Sequence, residues 1–360
     1  IMYVTVDVAL YSVIQFDRAS VPWIGALLTL ITIFYTSMGG LKAVVVTDVV
    51  QSFIFLGGAL LSIVVVCFQL GSFTAIFPAE WPAHWDALRL GFDPLERTTL
   101  GNAVLVLFVW YVCTSGSDQM AVQRYLSTKD IHTARKSFRI SLYSNVIAYI
   151  LLALVGLAML AFFTSNQDFL LAGKSLNEQA DTLFPRFIMI GLPPGVSGLV
   201  IAGLLAAAMS SMSSGLNSVS SVIAEDIIKR FRKKTAPVPD PLKQVKKLSY
   251  LTGVIVMALS FFVGEVPGNL LDVIMKVVNL FVAPLFVLFF MALFVPFATG
   301  RATFWAGIIS VAVAIAVAFW GIFGITVLWI MPVSLIAGIV AGIVLSYADR
   351  LLFKREPGRS

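Results

Sequence analysis

The sequence predicts an all-α, polytopic membrane protein, and three observations carry the prediction. Of its 360 residues 59% are hydrophobic and only 12% charged, about half the charged share of a soluble domain. Mean hydropathy is +0.94, too high for a globular domain that must cover itself with polar side chains, so lipid has to do the covering. The apolar residues also fall into runs of membrane-crossing length, roughly 20 residues for a helix, parted by short polar loops.

Ten such runs follow in order: 1–16, 21–38, 49–70, 102–117, 137–163, 196–223, 248–263, 270–295, 303–319 and 325–347. The first opens on Ile1, Met2, Tyr3 and Val4 with no charged leader, so the chain is expected to begin inside a helix. Residues 348–360 read as a basic tail. No stretch suits a soluble domain, and the expected organisation is one transmembrane domain over 1–360.

Orientation follows from the excess of Lys and Arg in cytoplasmic loops. With the C-terminus inside, the cytoplasmic loops hold 19 of the 25 basic residues and the external loops 5, with Lys276 left inside a run. Acids gather outside, among them Asp17, Glu80, Asp93, Glu96, Asp168 and Glu265. The external loop 71–100, with Trp81, Pro82, His84 and Trp85, is expected to fold back on the membrane surface. The stretch RFRKKTAPVPDPLKQVKK, 230–247, reads as a basic hinge between two spans. Because the positive charge is dispersed over loops, the net +6 marks topology rather than a nucleic-acid face. Cys67 and Cys113 lie within apolar runs with no CxxC or nearby His, which argues against a disulfide framework or a zinc site.

The sixth run, GVSGLVIAGLLAAAMSSMSSGLNSVSS, is the most informative. Ala207, Ser210, Ser211 and Ser214 fall at i, i+3, i+4 and i+7 and share one helix face, with Ser213 and Asn217 on the adjoining stripe. Hydroxyls at bilayer depth need partners, so this face must meet protein, water or an ion. Close packing through small residues is one reading. The other is a site for a hard monovalent cation, since hydroxyl and carbonyl oxygens are the ligands such ions prefer.

Two further motifs accompany it. In YTSMGGLKAVVVTDVVQ, residues 35–51, Gly39 and Gly40 suit a tight cytoplasmic turn anchored by Lys42. Thr47 and Asp48 then stand where the next helix would need a cap. Alternatively, the Asp48 carboxylate approaches the serines and supplies the one negative charge of a cation site. In WYVCTSGSDQMAVQRYLSTKD, residues 110–130, Trp110, Tyr111, Thr114 and Ser115 bring hydrogen-bonding groups into a span, and Gly116 is the expected break. Asp118, Gln119, Gln123 and Arg124 read as its salt-bridged cytoplasmic end.

In this order and spacing, YTSMGGLKAVVVTDVVQ, GSDQMAVQRYLSTKD and AGLLAAAMSSMSSGLNSVSS resemble the sodium/solute symporter family of sugar, proline, pantothenate, iodide and sialic acid carriers. The resemblance spans essentially the whole chain. It implies a LeuT-like inverted-repeat helical bundle whose third to tenth core helices occupy about 1–296, with two further helices over 303–347 and the first two core helices lacking. It implies a sodium site at the Ala207 carbonyl and the Ser210 and Ser211 hydroxyls, and a second at Asp48, Ser210, Ser213 and Ser214. By the same resemblance, substrate contacts fall on Tyr111, Thr114, Asn145, Lys276 and Asn279, with Asp7 as a further candidate. Lys276 would pair with an anionic substrate, with Asp7 or with Asp272.

The function so implied is sodium-coupled symport of a small organic solute by a monomer in the plasma membrane, with Na+ as coupling ion and no organic cofactor or nucleic acid. A carrier of an inorganic anion or a sodium-binding membrane sensor are the alternatives, although a sensor needs an output domain that this sequence is not expected to form. An intramembrane enzyme lacks residues: His84 and His132 fall in expected loops, and HExxH and GxSxG are absent.

Overall fold

The computed structural model describes the chain apart from residues 1–4, 12–16, 81–84, 86, 88, 97–98, 171–175, 232–239, 261–269 and 354–360. Outside the described residues fall Trp81, Pro82, His84 and Glu265, the middle of the basic hinge and the end of the tail. So do the side chains of Gly39 to Lys42 and of Asp272. Among the described residues ten α-helices of at least two turns follow in order. They are α1 Val21–Leu70, α2 Leu100–Ser117, α3 Gln119–Leu126, α4 Ile131–Ser165, α5 Ala180–Ile190, α6 Val196–Val222, α7 Pro241–Ser260, α8 Leu270–Phe294, α9 Gly300–Trp320 and α10 Ile330–Phe353. A π-helical turn, Ile223–Ile228, carries α6 on to Phe231.

Among the described residues eight helical stretches are long and apolar enough to cross a membrane: Val21–Met38, Ala43–Leu70, Leu100–Ser117, Ile131–Ser165, Val196–Phe231, Lys276–Phe294, Gly300–Trp320 and Val327–Leu352. Each overlaps one of the ten apolar runs. Of the other two runs, 1–16 is largely outside the described residues, its described part being the π-helical turn Thr5–Leu10 and Tyr11 after it. The run 248–263 forms most of α7, whose first turns carry Lys243, Lys246 and Lys247.

The helices group into two compact units, one of residues Ile1–His84 with Asp130–Val266 and one of Trp85–Lys129 with Pro267–Ser360. In the first unit α1 packs along α6, and glycines set how closely. A Cβ added at Gly203 would lie 3.1 Å from the Ile54 carbonyl oxygen and 3.1 Å from the Phe55 Cα. One at Gly58 would lie 3.3 Å from the Val200 Cα. Gln69 Nε2 donates to the Gly191 carbonyl at 2.8 Å, so residue numbers rise along α1 as they fall along α6, and the two helices run antiparallel. Beyond their crossing, Ile63, Val66, Ile76, Phe162, Phe163, Phe187 and Ile188 form a core in which Phe162 meets Phe187 edge-on at 4.9 Å. α7 packs on α1 and α6.

In the second unit α8, α9 and α10 pack together and α2 joins them. Close approach is again the device: Gly338 admits Val287 and Ser310, Gly342 admits Met291, and Gly116 admits the Phe286 ring. The loop before α2 is tied down by Asn102, whose amide donates to the carbonyls of Asp93 and Glu96.

Several local expectations give way. The backbone stays helical through Gly39 and Gly40, yet Tyr35 and Asp48, about 20 Å apart on a straight helix, both reach α6 at Met209 and Ser210, so α1 bends sharply between them. Asp48 is therefore mid-helix, where no orphan N–H awaits a cap. α2 continues through Gly116 and breaks at Asp118 instead (φ −68°, ψ 118°), whose carboxylate accepts from Met120 N and caps α3. α4 begins at Ile131, six residues before the expected 137, because Asp130 caps it, accepting from Thr133 N at 2.7 Å and Thr133 Oγ1 at 3.0 Å. α10 extends through Asp349 to Phe353, so the first residues of the expected tail are helical.

Two predictions follow from these contacts. Replacing Gly203 with Val forces a side chain against backbone that cannot yield and lowers stability by about 1–3 kcal/mol. The check is the unfolding midpoint in detergent, with the equivalent change at Gly57, where a Cβ meets nothing, as the tolerated control. The hydrogen bonds from Thr133 hold the Asp130 carboxyl below its ordinary value of 3.8. Because the folded value is the lower one, the cap's stabilisation is complete above that ordinary value and is lost as pH falls through the depressed one. The difference in melting temperature between wild type and Asp130→Asn is thus expected at pH 7 and should vanish in strong acid.

Candidate sodium site

Asp48 stands in an apolar stretch, VVVTDVVQ, within a helix long enough to cross a membrane. A carboxylate at such depth is costly unless partnered. Both of its oxygens are partnered from α6: Ser210 Oγ donates to Oδ1 at 2.6 Å and Ser214 Oγ to Oδ2 at 3.0 Å. The two serines are four residues apart and so lie one above the other on the same helix face. The glycine-mediated crossing of α1 and α6 brings that face to the carboxylate.

The neighbouring hydroxyls behave differently. Ser213 Oγ donates to the Ser210 carbonyl at 3.0 Å and is fully buried. Ser211 is exposed, and its Oγ donates to the Ala207 carbonyl at 3.1 Å. Such i−4 bonds are the ordinary refuge of a helical serine. Of the residues in the anticipated sodium sets, the structure therefore gathers Asp48, Ser210, Ser213 and Ser214 into one hydrogen-bonded cluster. Ser211, next to Ser210, is bonded instead to Ala207, one turn back along the same helix.

The chemistry of the cluster suits a hard cation. Every polar atom in it is oxygen, and it carries one formal negative charge. Each serine that gives its proton to the carboxylate keeps lone pairs for a cation, and short O–H···O⁻ bonds are the strong kind. Among the described residues no three of His, Cys, Asp and Glu gather as a transition metal would need.

Sequence reasoning missed some of the surroundings. The Tyr35 hydroxyl donates to the Met209 carbonyl at 3.3 Å, on the residue next to Ser210. Ser249 Oγ donates to Ser220 Oγ at 3.0 Å, and Thr252 Oγ1 lies 3.4 Å from the same atom, which joins α7 to the C-terminal end of α6. A serine-rich stripe hinted at the second contact, whereas nothing in sequence pattern pairs Tyr35 with Met209.

The anticipated substrate residues are more scattered. Tyr111 and Thr114 lie on α2, with Thr114 Oγ1 donating to the Trp110 carbonyl at 2.7 Å. Lys276 and Asn279 lie on α8 in the same unit. Lys276 is half-buried, whereas Asn279 is 2% exposed and its Oδ1 has no hydrogen-bond partner among the described residues. Asn145 is exposed on α4 of the other unit. Asp7 is half-buried in the turn Thr5–Leu10, which packs on α1, α5 and α6.

With this geometry in hand, comparison with known proteins is direct. The sequence model described as the sodium:solute symporter family matches residues 20–310. The sodium/sialic acid symporter SiaT of Proteus mirabilis (strain HI4320) is 29% identical over 305 residues, covering 82% of this chain and 59% of its own length. A sodium/mannose cotransporter of Bos taurus is 25% identical over 340 residues, covering 87% of this chain and 56% of its own. The chain thus spans somewhat under three-fifths of the length of these curated relatives. A solved structure of a Na+-coupled sialic acid symporter, in a substrate-bound outward-open state, superposes with a TM-score of 0.78 at 23% identity, covering all of this chain and 71% of that one. The fold is accordingly the LeuT-like, all-α, multi-pass fold of membrane carriers, and the chain belongs to the sodium:solute symporter family.

Proposed function

We propose that the protein couples the inward movement of sodium to that of a small organic solute by alternating access. The observation that carries this reading is the pair of serine hydroxyls held on the two oxygens of Asp48 across the α1–α6 crossing. Sodium entering there would meet a carboxylate and hydroxyl oxygens already assembled, so little reorganisation opposes binding. Asp48, Ser210, Ser213 and Ser214 would hold one ion. The Ala207 carbonyl with the Ser210 and Ser211 hydroxyls would contribute to a second, with Ser210 common to both.

Coupling then rests on a difference in sodium affinity between outward- and inward-facing states. A shift of α1 against α6 by a single residue would take Asp48 from its serines and weaken the site. Two sodium ions carried with a neutral solute make transport electrogenic. The relatives named for sialic acid, a carboxylated sugar, and the cationic Lys276 on α8 together favour an organic anion as solute. We place the C-terminus in the cytoplasm and the working unit as a monomer in the plasma membrane.

Uptake by the full-length protein in proteoliposomes tests this. Asp48→Asn keeps the shape but removes the charge, and the sodium concentration for half-maximal uptake should rise at least about tenfold, equivalent to 1.4 kcal/mol. Ser52→Ala, one turn away with its hydroxyl bonded to the Asp48 carbonyl, should leave it unchanged. Equal sodium dependence in wild type and Asp48→Asn would remove this residue from the site. If two ions are carried, Ser211→Ala and Asp48→Asn should each reduce the charge moved per solute, and an unaltered ratio would contradict the second site.

A further inference from the structure

Gln51 ends the motif that begins at Tyr35, and neither the hydroxyl cluster nor the packing described so far uses its side chain. Its Oε1 is buried and has no hydrogen-bond partner among the described residues. An acceptor left in that condition gives up its hydration and gains nothing in return. Such an atom in a native fold calls for an explanation, and an unseen ion is one of the recognised ones.

Helix geometry says where this oxygen lies. Gln51 is three residues beyond Asp48, so it is displaced by about 60° around α1 and about 4.5 Å along it. The next α1 residues known to touch α6 are Ile54 and Phe55, whose backbone meets Gly203, and Gly58, which meets Val200. These contacts and Asp48 bracket Gln51 in both angle and height, and place it near the middle of the face that α1 turns to α6. Antiparallel register carries the match further. Asp48 stands opposite Ser210 and Ser214 and Phe55 opposite Gly203, so Gln51 falls opposite Ala207. That is the turn of α6 where the Ala207 carbonyl and the Ser210 and Ser211 hydroxyls lie.

We infer that the Gln51 amide oxygen is a sodium ligand, which joins the Ala207, Ser210 and Ser211 oxygens from the α1 side and rests on the reading of that helix face as a cation site. A neutral amide oxygen suits the role. It adds a strong dipole without a second negative charge beside Asp48, and the smallness of Ala207 leaves space for it. Without the ion, the same oxygen is an unmet acceptor. Gln51 therefore costs stability in the empty protein and recovers it on binding, the signature of a residue kept for a ligand rather than for packing.

The test uses the full-length protein in nanodiscs and two readouts, with sodium as titrant and potassium as control. Gln51→Met preserves length and volume but removes the acceptor. The melting temperature in sodium-free buffer should equal or exceed that of wild type, while the dissociation constant for sodium rises at least about fivefold, as expected for one lost polar ligand. Gln51→Glu restores an oxygen and should recover sodium binding relative to Gln51→Met. A residue serving structure alone would lower the melting temperature and leave the sodium constant in place, which would overturn the assignment. Asp48→Asn is run alongside. If it weakens sodium binding and Gln51→Met does not, the ligand role of Gln51 fails while the sodium site stands; if neither variant changes sodium binding, both fail.

Discussion

One interaction organises this protein: a carboxylate, Asp48, in a helical stretch long and apolar enough to cross a membrane, held by two hydroxyls from another helix. A lone charge in such surroundings is tolerated only with partners, and the partners exist only because α1 and α6 approach closely. That approach depends in turn on Gly58 and Gly203, where side chains would strike backbone. The antiparallel register, the burial of Ser213 and Ser214 and the placement of Gln51 all follow from it. Small residues at one level of the crossing thus make possible the polar chemistry at the next.

The division of labour among the hydroxyls of α6 is also physical. Serines that face α1 give their protons to the carboxylate, and those that do not turn back on their own helix. Near the far end of the helix, Ser220, Ser249 and Thr252 satisfy one another. They fasten α7 in place without presenting a charge. One serine-rich stripe therefore does two jobs, and the presence of a carboxylate distinguishes them.

Much of this was legible in the sequence. The membrane spans follow from hydrophobic runs because lipid permits little else, and eight of the ten runs coincide with described helical stretches of membrane-crossing length, two of them within α1. Spacing placed Ala207, Ser210, Ser211 and Ser214 on one face, and the resemblance singled out Asp48. What escaped was governed by tertiary contact. Gly39 and Gly40 read as a turn, yet the backbone there stays helical and α1 bends without leaving the helix. Gly116 read as a helix break, yet its lack of a Cβ serves the Phe286 ring, and the break passes to Asp118. Gln51 drew no reading of its own from the sequence, and only the register of the two helices puts it opposite Ala207. Asn145, Lys276 and Asn279 remain a proposal about substrate, because side-chain type alone does not say what a half-buried lysine or a buried amide meets.

The central claim is that Asp48 and the α6 serines bind an ion and do not merely bond to one another. High-resolution structures of the full-length protein determined in sodium and in a large organic cation that cannot enter test it most directly. The account predicts ion density in contact with an Asp48 oxygen and the Ser210 and Ser214 hydroxyls in sodium, and none in its absence. Identical serine–carboxylate hydrogen bonds in both, with no density between them, would contradict it.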